Sequence, residues 1–313
     1  MHNPTTAQNR ATPTAAGRSS PHPAETHPPA ARGEAKAGEA KPGPDFLALL
    51  HEALTEPGRA AACYRLFHRY SLGNALWLAQ QLAERGEPLA PVASFKRWQE
   101  LGRNVRKGSK ALMLCMPVTV KPKAQERKPD EAQDDAQGVR RFFVVRRNWF
   151  ALQQTEGADV ADLAAQAPAD WNPERALQTL GIARVPFEHY DGNCQGYAQP
   201  SVQRLAINPL AAHPLKTLCH ELAHCLLHTE AAMISDGLDL DRSAEEVEAE
   251  SVAYLCSAAL GLGALDTSRG YIQGWLGSAD PEAFTAAHAR RILLAADRIL
   301  KAGRAADTPE AGA

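Results

Sequence analysis

The chain has 313 residues, 44% of them hydrophobic, with 34 Lys or Arg against 36 Asp or Glu, which is room for two ordinary domains with real cores. No apolar run approaches the length of a membrane span, and Met1–Arg18 lacks the apolar stretch of a signal peptide, so a cytoplasmic protein without membrane contact is expected. The formal charge of −2 hides an uneven distribution: residues 59–123 hold twelve Lys or Arg and three acids, the footprint of a polyanion-binding surface.

Residues 1–44 are dominated by Pro, Ala, Gly, Thr and Ser. They cannot bury enough surface to offset the entropy of ordering, which predicts a disordered tail. From Asp45 the apolar spacing of Phe46, Leu49, Leu50 and Leu54 predicts a first helix closed by Pro57-Gly58, and a second helix follows from Arg59 to about Arg85. A short helix over Ser94–Leu101 leads into a basic loop through Arg103, Arg106, Lys107 and Gly108. Strands are expected at Ala111–Val120 and Val139–Arg146, with Lys121–Gly138 as a charged hairpin excursion. This first domain, 45–155, gives way to a linker at 156–170 and a second domain at 171–313.

In the second domain a helix is expected at Pro173–Gly181 and strands at Arg184–His189 and Gln203–Asn208. The run Arg204-Leu205-Ala206-Ile207 precedes the next helix and is expected to offer an edge to an extended substrate. Thr217–His228 then contains His220-Glu221-Leu222-Ala223-His224, with Leu215, Leu218, Leu222 and Leu226 at helical spacing. Histidines four residues apart share one helix face, so both imidazoles can converge on one Zn²⁺, and Glu221 is placed to take a proton from water rather than to bind metal. A glycine at 227 and a histidine at 230 would mark a metzincin, but Leu227 and Glu230 stand there. His228 lies two turns from His220 and is assigned to packing or a hydrogen bond at the helix end.

A third ligand is expected from the next helix, Ser243–Leu255. Glu246 and Glu250 share a face, so Glu246 is taken as the ligand and Glu250 as the group that hydrogen-bonds a ligand histidine, or as the alternative ligand. Two other readings compete: Ser243 and Glu246 spell a capping box, and Glu245, Glu246 and Glu248 also read as an acidic first turn. Helices near Tyr271–Leu276 and from Asp280-Pro281 to about Ala302 close the chain. The six cysteines form no C-x-x-C pair, which leaves reduced thiols rather than a knuckle or redox pair.

Several blocks together resemble the ArdC-type antirestriction proteins of plasmids and other mobile elements. They are Arg69–Leu76, Phe95–Arg103 and Val105–Ala111 in the first half, and His220–His224, Glu246–Glu250 and Tyr271–Leu276 in the second. The resemblance implies an α+β protein: an N-terminal single-stranded-DNA-binding domain followed by a zincin-like metallopeptidase domain of unknown protein substrate. On that reading Arg103, Arg106, Lys107 and Lys110 meet phosphates, Tyr70, Trp98 or another exposed aromatic stacks on bases, and Asn74 belongs to the same surface. The competing reading makes these aromatics core. The glutamate region also resembles the ImmA and IrrE peptidases, where the ligand opens an E-x-x-A-N run; Glu250 stands at the Asn position, which leaves the choice of ligand open. Zn²⁺ held by His220, His224 and Glu246, with Glu221 as base and Tyr254, Tyr271 or His189 as oxyanion partner, would hydrolyse peptides. The alternative is a DNA-covering protein whose zinc site is structural or vestigial.

Overall fold

Asp45 opens the structured part of the chain. Its carboxylate accepts the backbone N–H groups of Leu47 and Ala48 at 3.1 Å and so caps α1 (Phe46–Thr55), filling donors that a first helical turn leaves unpaired. The computed structural model describes residues 43–120, 140–160, 170–188, 194–236, 240–262, 272 and 285–305. The tail before 43, the 121–138 excursion, residues 161–169 of the expected linker, the Tyr271–Leu276 helix apart from Ile272, and the Asp280-Pro281 opening lie outside the described residues.

The single helix expected over 59–85 is two helices, α2 (Arg59–Phe67) and α3 (Leu72–Glu84). Ser71 is the reason. It sits in an extended conformation and its hydroxyl accepts from the Asn74 N–H at 3.4 Å, starting a new helix. The Tyr70 hydroxyl, carried by the break, donates to the Val92 carbonyl at 2.9 Å. There follow β1 (Val92–Ser94), α4 (Phe95–Glu100), β2 (Arg103–Val105), β3 (Leu112–Val120), β4 (Arg140–Ala151) and β5 (Thr155–Gly157). β4 runs antiparallel between β1 and β3, and β2 pairs antiparallel with β5 in a separate ribbon. Gly157 has φ +131°, and a Cβ there would run into the Gly102 carbonyl, so this ribbon end requires glycine.

The second half comprises α5 (Pro173–Leu180), β6 (Ala183–Arg184), β7 (Gly196–Gln199), β8 (Arg204–Ile207), α6 (Pro214–Leu227), α7 (Glu230–Asp236), α8 (Arg242–Leu260) and α9 (Ala286–Ala302). Strands and helices are segregated, which makes the protein α+β as expected. β8 is the middle of its sheet, parallel to β6 and antiparallel to β7. The strand next to α6 that borders the sheet is therefore β7, which the sequence reading missed; within Arg204–Ile207, Arg204 and Leu205 are paired on both sides, and Ala206 and Ile207 pair with β7.

Residues Pro42–Ala313 cluster as one unit, and one apolar core runs across the 156–170 segment. Asp297 of α9 accepts the Leu72 N–H at the start of α3 (3.1 Å), and Arg304 donates to the Tyr64 hydroxyl and the His68 carbonyl (3.0 and 2.7 Å). Helices from the two halves thus bury each other's apolar faces. The core cluster thus draws on residues from both sides of the 156–170 segment. Among the described residues no helix is long and apolar enough to cross a membrane.

Candidate metal centre and basic face

Pro214 takes the first position of α6, where its missing N–H costs nothing. The buried stripe is Leu218, Cys219, Leu222, Ala223 and Cys225; Leu226 is half-buried, and Leu215, expected in the stripe, is exposed because it precedes the packed turns. This orientation turns His220 and His224 toward α8. The cap of α8 is Asp241, whose side chain accepts the Ala244 N–H at 2.8 Å. Ser243 is therefore not the cap, and the Glu246 carboxylate is released from any capping box. Glu248 is fully buried, so it is no part of a solvated acidic turn.

His220, His224 and Glu246 each offer one donor atom, and these lie within 4.8 Å of one another. The two Nε2 atoms stand 3.1 Å apart, and Glu246 oxygens lie 3.3 Å from His220 Nε2 and 3.7 Å from His224 Nε2. Donors about 2.0–2.1 Å from a tetrahedral zinc are separated by about 3.3–3.4 Å, so the spacing suits a cation of that size without rearrangement of the helices. Glu250 accepts from His220 Nδ1 at 3.2 Å and pairs with Lys216 at 2.7 Å. It lies outside the donor cluster, behind His220, where it can hydrogen-bond a ligand histidine.

The electrostatics match that division of labour. Hydrogen bonds from His220 and His224 hold the Glu246 carboxyl well below the usual carboxylate range. Burial works against charge on His220, but hydrogen bonds to Glu246 and Glu250 outweigh it and raise its pKa to about 9. Glu221 is raised to about 7, chiefly by burial, with His220 opposing and Glu246 adding to the shift. A carboxylate poised near neutrality is suited to proton transfer. A Cβ at Gly196 of β7 would lie 3.0 Å from Glu221 Oε1 and 2.8 Å from Thr217 Cγ2, so that glycine keeps the space over the carboxylate open. Tyr254 is buried in the core, while His189 and Tyr271 lie outside the described residues.

The expected nucleic-acid residues divide sharply. Trp98 has no exposed surface, and its Nε1 donates to the Phe150 carbonyl at 2.8 Å. Asn74 uses its amide on both backbone groups of Cys115. Tyr70 is half-buried, its hydroxyl is held by Val92, and burial pushes its pKa up. Arg103 spends its guanidinium on Thr155, Gly157 and Ala158, tying β2 to β5. These four are corrections: aromatic and cationic residues expected on the surface are structural because each satisfies a strand or loop backbone. Arg106, Lys107 and Lys110 are exposed, although Arg106 also donates to the Gln153 carbonyl and lies 3.8 Å from Glu156. Among the described residues the exposed aromatics are Phe95 and Phe143, the latter with the Arg290 guanidinium 4.3 Å from its ring centre. Neither was assigned to this surface from sequence: Phe143 lies on β4, where strand alternation does not say which face is covered, and Phe95 opens α4.

Two ligand-bearing helices crossing on an α+β frame define a protein with a candidate divalent-cation site of the His-Glu-x-x-His kind. Residues 52–150, about a third of the chain, match the model of the N-terminal domain of anti-restriction factor ArdC. Two solved structures of the antirestriction ArdC protein from the R388 plasmid are similar. The metal-free one is 20% identical with a TM-score of 0.46, covering 82% of this chain and 94% of that one. The Mn(II)-bound one is 19% identical with a TM-score of 0.44, covering 82% and 95%. No curated protein matches the chain.

Proposed function

We propose that the protein is a DNA-binding antirestriction protein that carries a divalent-metal peptidase site, with zinc as the metal and single-stranded DNA as the nucleic acid. The observation that carries the peptidase reading is the buried Glu221 beside a three-donor cluster, since a purely structural site has no use for a carboxylate raised to about 7. His220, His224 and Glu246 would hold the cation, which would supply Lewis acidity toward a peptide carbonyl and toward water. Glu221 accepts the proton of the attacking water and returns it to the leaving amine. Glu250, anchored by Lys216, keeps the His220 Nδ1–H engaged so that Nε2 faces the donor cluster. β7, at the border of its sheet with Gly196 against Glu221, is where an extended peptide adds as a strand.

Nucleic-acid binding rests on the family match and on the exposed cations Arg106, Lys107 and Lys110. The basic cluster lacks a recognisable major-groove reading helix, which favours single strands. A cytoplasmic location belongs to the same reading. The competing reading, protection by covering DNA with a vestigial metal site, is separated from this one by restriction protection in cells. Wild type and Glu221→Gln are compared at equal expression. Protection by wild type alone supports proteolysis; equal protection sinks it as the mechanism of antirestriction.

A further inference from the structure

His224 Nδ1 lies 2.9 Å from His228 Nδ1, and His228 Nε2 lies 3.1 Å from Glu248 Oε2. Arg291, from α9, stands 3.6 Å from the same carboxylate oxygen, pairs with Asp236 at 2.9 Å and donates to the Leu227 carbonyl at 2.6 Å. Three elements therefore converge behind one member of the donor cluster: the end of α6, the middle of α8 and the face of α9. His228, Glu248 and Arg291 are all buried.

A buried carboxylate and guanidinium are a poor way to gain stability, because desolvating each costs several kcal/mol and well-packed apolar residues serve as well or better. The chain of contacts has a direction that suggests another use. If His224 presents Nε2 to a cation, its Nδ1 carries the proton and donates to His228 Nδ1. His228 must then be neutral with its own proton on Nε2, donated to Glu248. The Arg291 guanidinium faces the Glu248 carboxylate at 3.6 Å. Along His224, His228 and Glu248 one tautomer of each ring gives every ring N–H an acceptor.

We infer that His228 is a positioning residue for the metal site: together with Glu248 and Arg291 it locks His224 in the tautomer and rotamer that aim Nε2 at the donor cluster. It plays for His224 the part that Glu250, anchored by Lys216, plays for His220. The two ligand histidines are thus held from behind by separate acidic anchors, each neutralised by its own cation. The inference rests on the metal reading above.

The test uses the full chain and Zn²⁺ alone as probe, with affinity measured by competition against a chromophoric chelator. His228→Leu should bind zinc about 10- to 100-fold more weakly. His228→Asn places an amide oxygen near the old Nδ1 and can still accept from His224, so it should stay close to wild type. Equal affinity of wild type and His228→Leu, or a His228→Asn as weak as His228→Leu, overturns the positioning role. A wild type that binds no zinc sinks the metal reading itself, a different outcome. In zinc-free wild type, ¹⁵N-resolved NMR should find the His228 proton on Nε2 and none on Nδ1, and a proton on Nδ1 overturns the inference. That readout needs no variant, so it decides the matter even where the leucine substitution does not fold.

Discussion

Gly196→Ala probes the junction between β7 and α6. The added methyl would stand 2.8 Å from Thr217 Cγ2, 3.0 Å from the Ala206 carbonyl oxygen and 3.0 Å from Glu221 Oε1. Thr217 can rotate and Glu221 can retreat, but the Ala206 carbonyl is fixed in the β7–β8 ladder opposite. The strand must therefore shift by a few tenths of an ångström. Overpacking of this kind costs about 1–3 kcal/mol, or a fall in Tm of roughly 2–12 °C at about 2–4 °C per kcal/mol. On the proposed peptidase reading, displacing Glu221 should also lower turnover while zinc content is kept, because Gly196 approaches Glu221 and no donor atom. The assay is thermal and urea unfolding of wild type, Gly196→Ala and Gly196→Ala/Thr217→Ser. Removing Cγ2 should recover part of the loss, a coupling that a double-mutant cycle reads directly. A Gly196→Ala protein as stable as wild type would refute the packing of β7 on α6 as described.

The other predictions follow from burial and charge. Trp98→Ala should destabilise by about 3–5 kcal/mol in denaturant unfolding, because the indole is fully buried and its N–H is bonded to Phe150; a marginal effect would return Trp98 to the surface. Reversing Lys107 and Lys110 together should weaken single-stranded DNA binding and flatten the plot of log affinity against log salt by about 1.4, two contacts at about 0.7 each, and an unchanged slope removes this surface from the account. Burial lowers the pKa of His288, with Glu248 opposing, and its Nδ1 accepts the Thr285 N–H at 3.0 Å. A group depressed in the fold contributes stability that is present above its unfolded value of about 6.5 and lost as pH falls through the folded one. Melting at pH 7.5 and 5.5 should thus show an acid loss that His288→Gln diminishes, and an identical loss in both proteins would count against it.

The sequence made the candidate metal cluster legible because its spacing is local. Four-residue spacing on α6 and α8 places His220 with His224 and Glu246 with Glu250, and helical periodicity alone puts each pair on one face. What escaped was set by contacts between distant segments. Nothing local distinguishes an exposed Trp98 from one that donates to Phe150, or an Arg103 that meets phosphate from one that ties β2 to β5. The break at Ser71 was written in its capping chemistry and was overlooked because apolar spacing continues through it. Glu248 did carry a signal, since a carboxylate between Val247 and Ala249 on the packing side of α8 needs a buried partner. The partner, His228 with Arg291 behind it, is visible only once three helices are brought together.

The central claim is that His220, His224 and Glu246 hold one divalent cation while Glu221 does not. Elemental analysis of the purified full chain after dialysis against trace zinc tests it most directly. The account predicts about one zinc per wild-type chain, retained in Glu221→Gln and largely lost in His224→Ala and Glu246→Ala, whose side chains are donors. Full zinc occupancy in Glu246→Ala, or its loss in Glu221→Gln, would contradict the assignment.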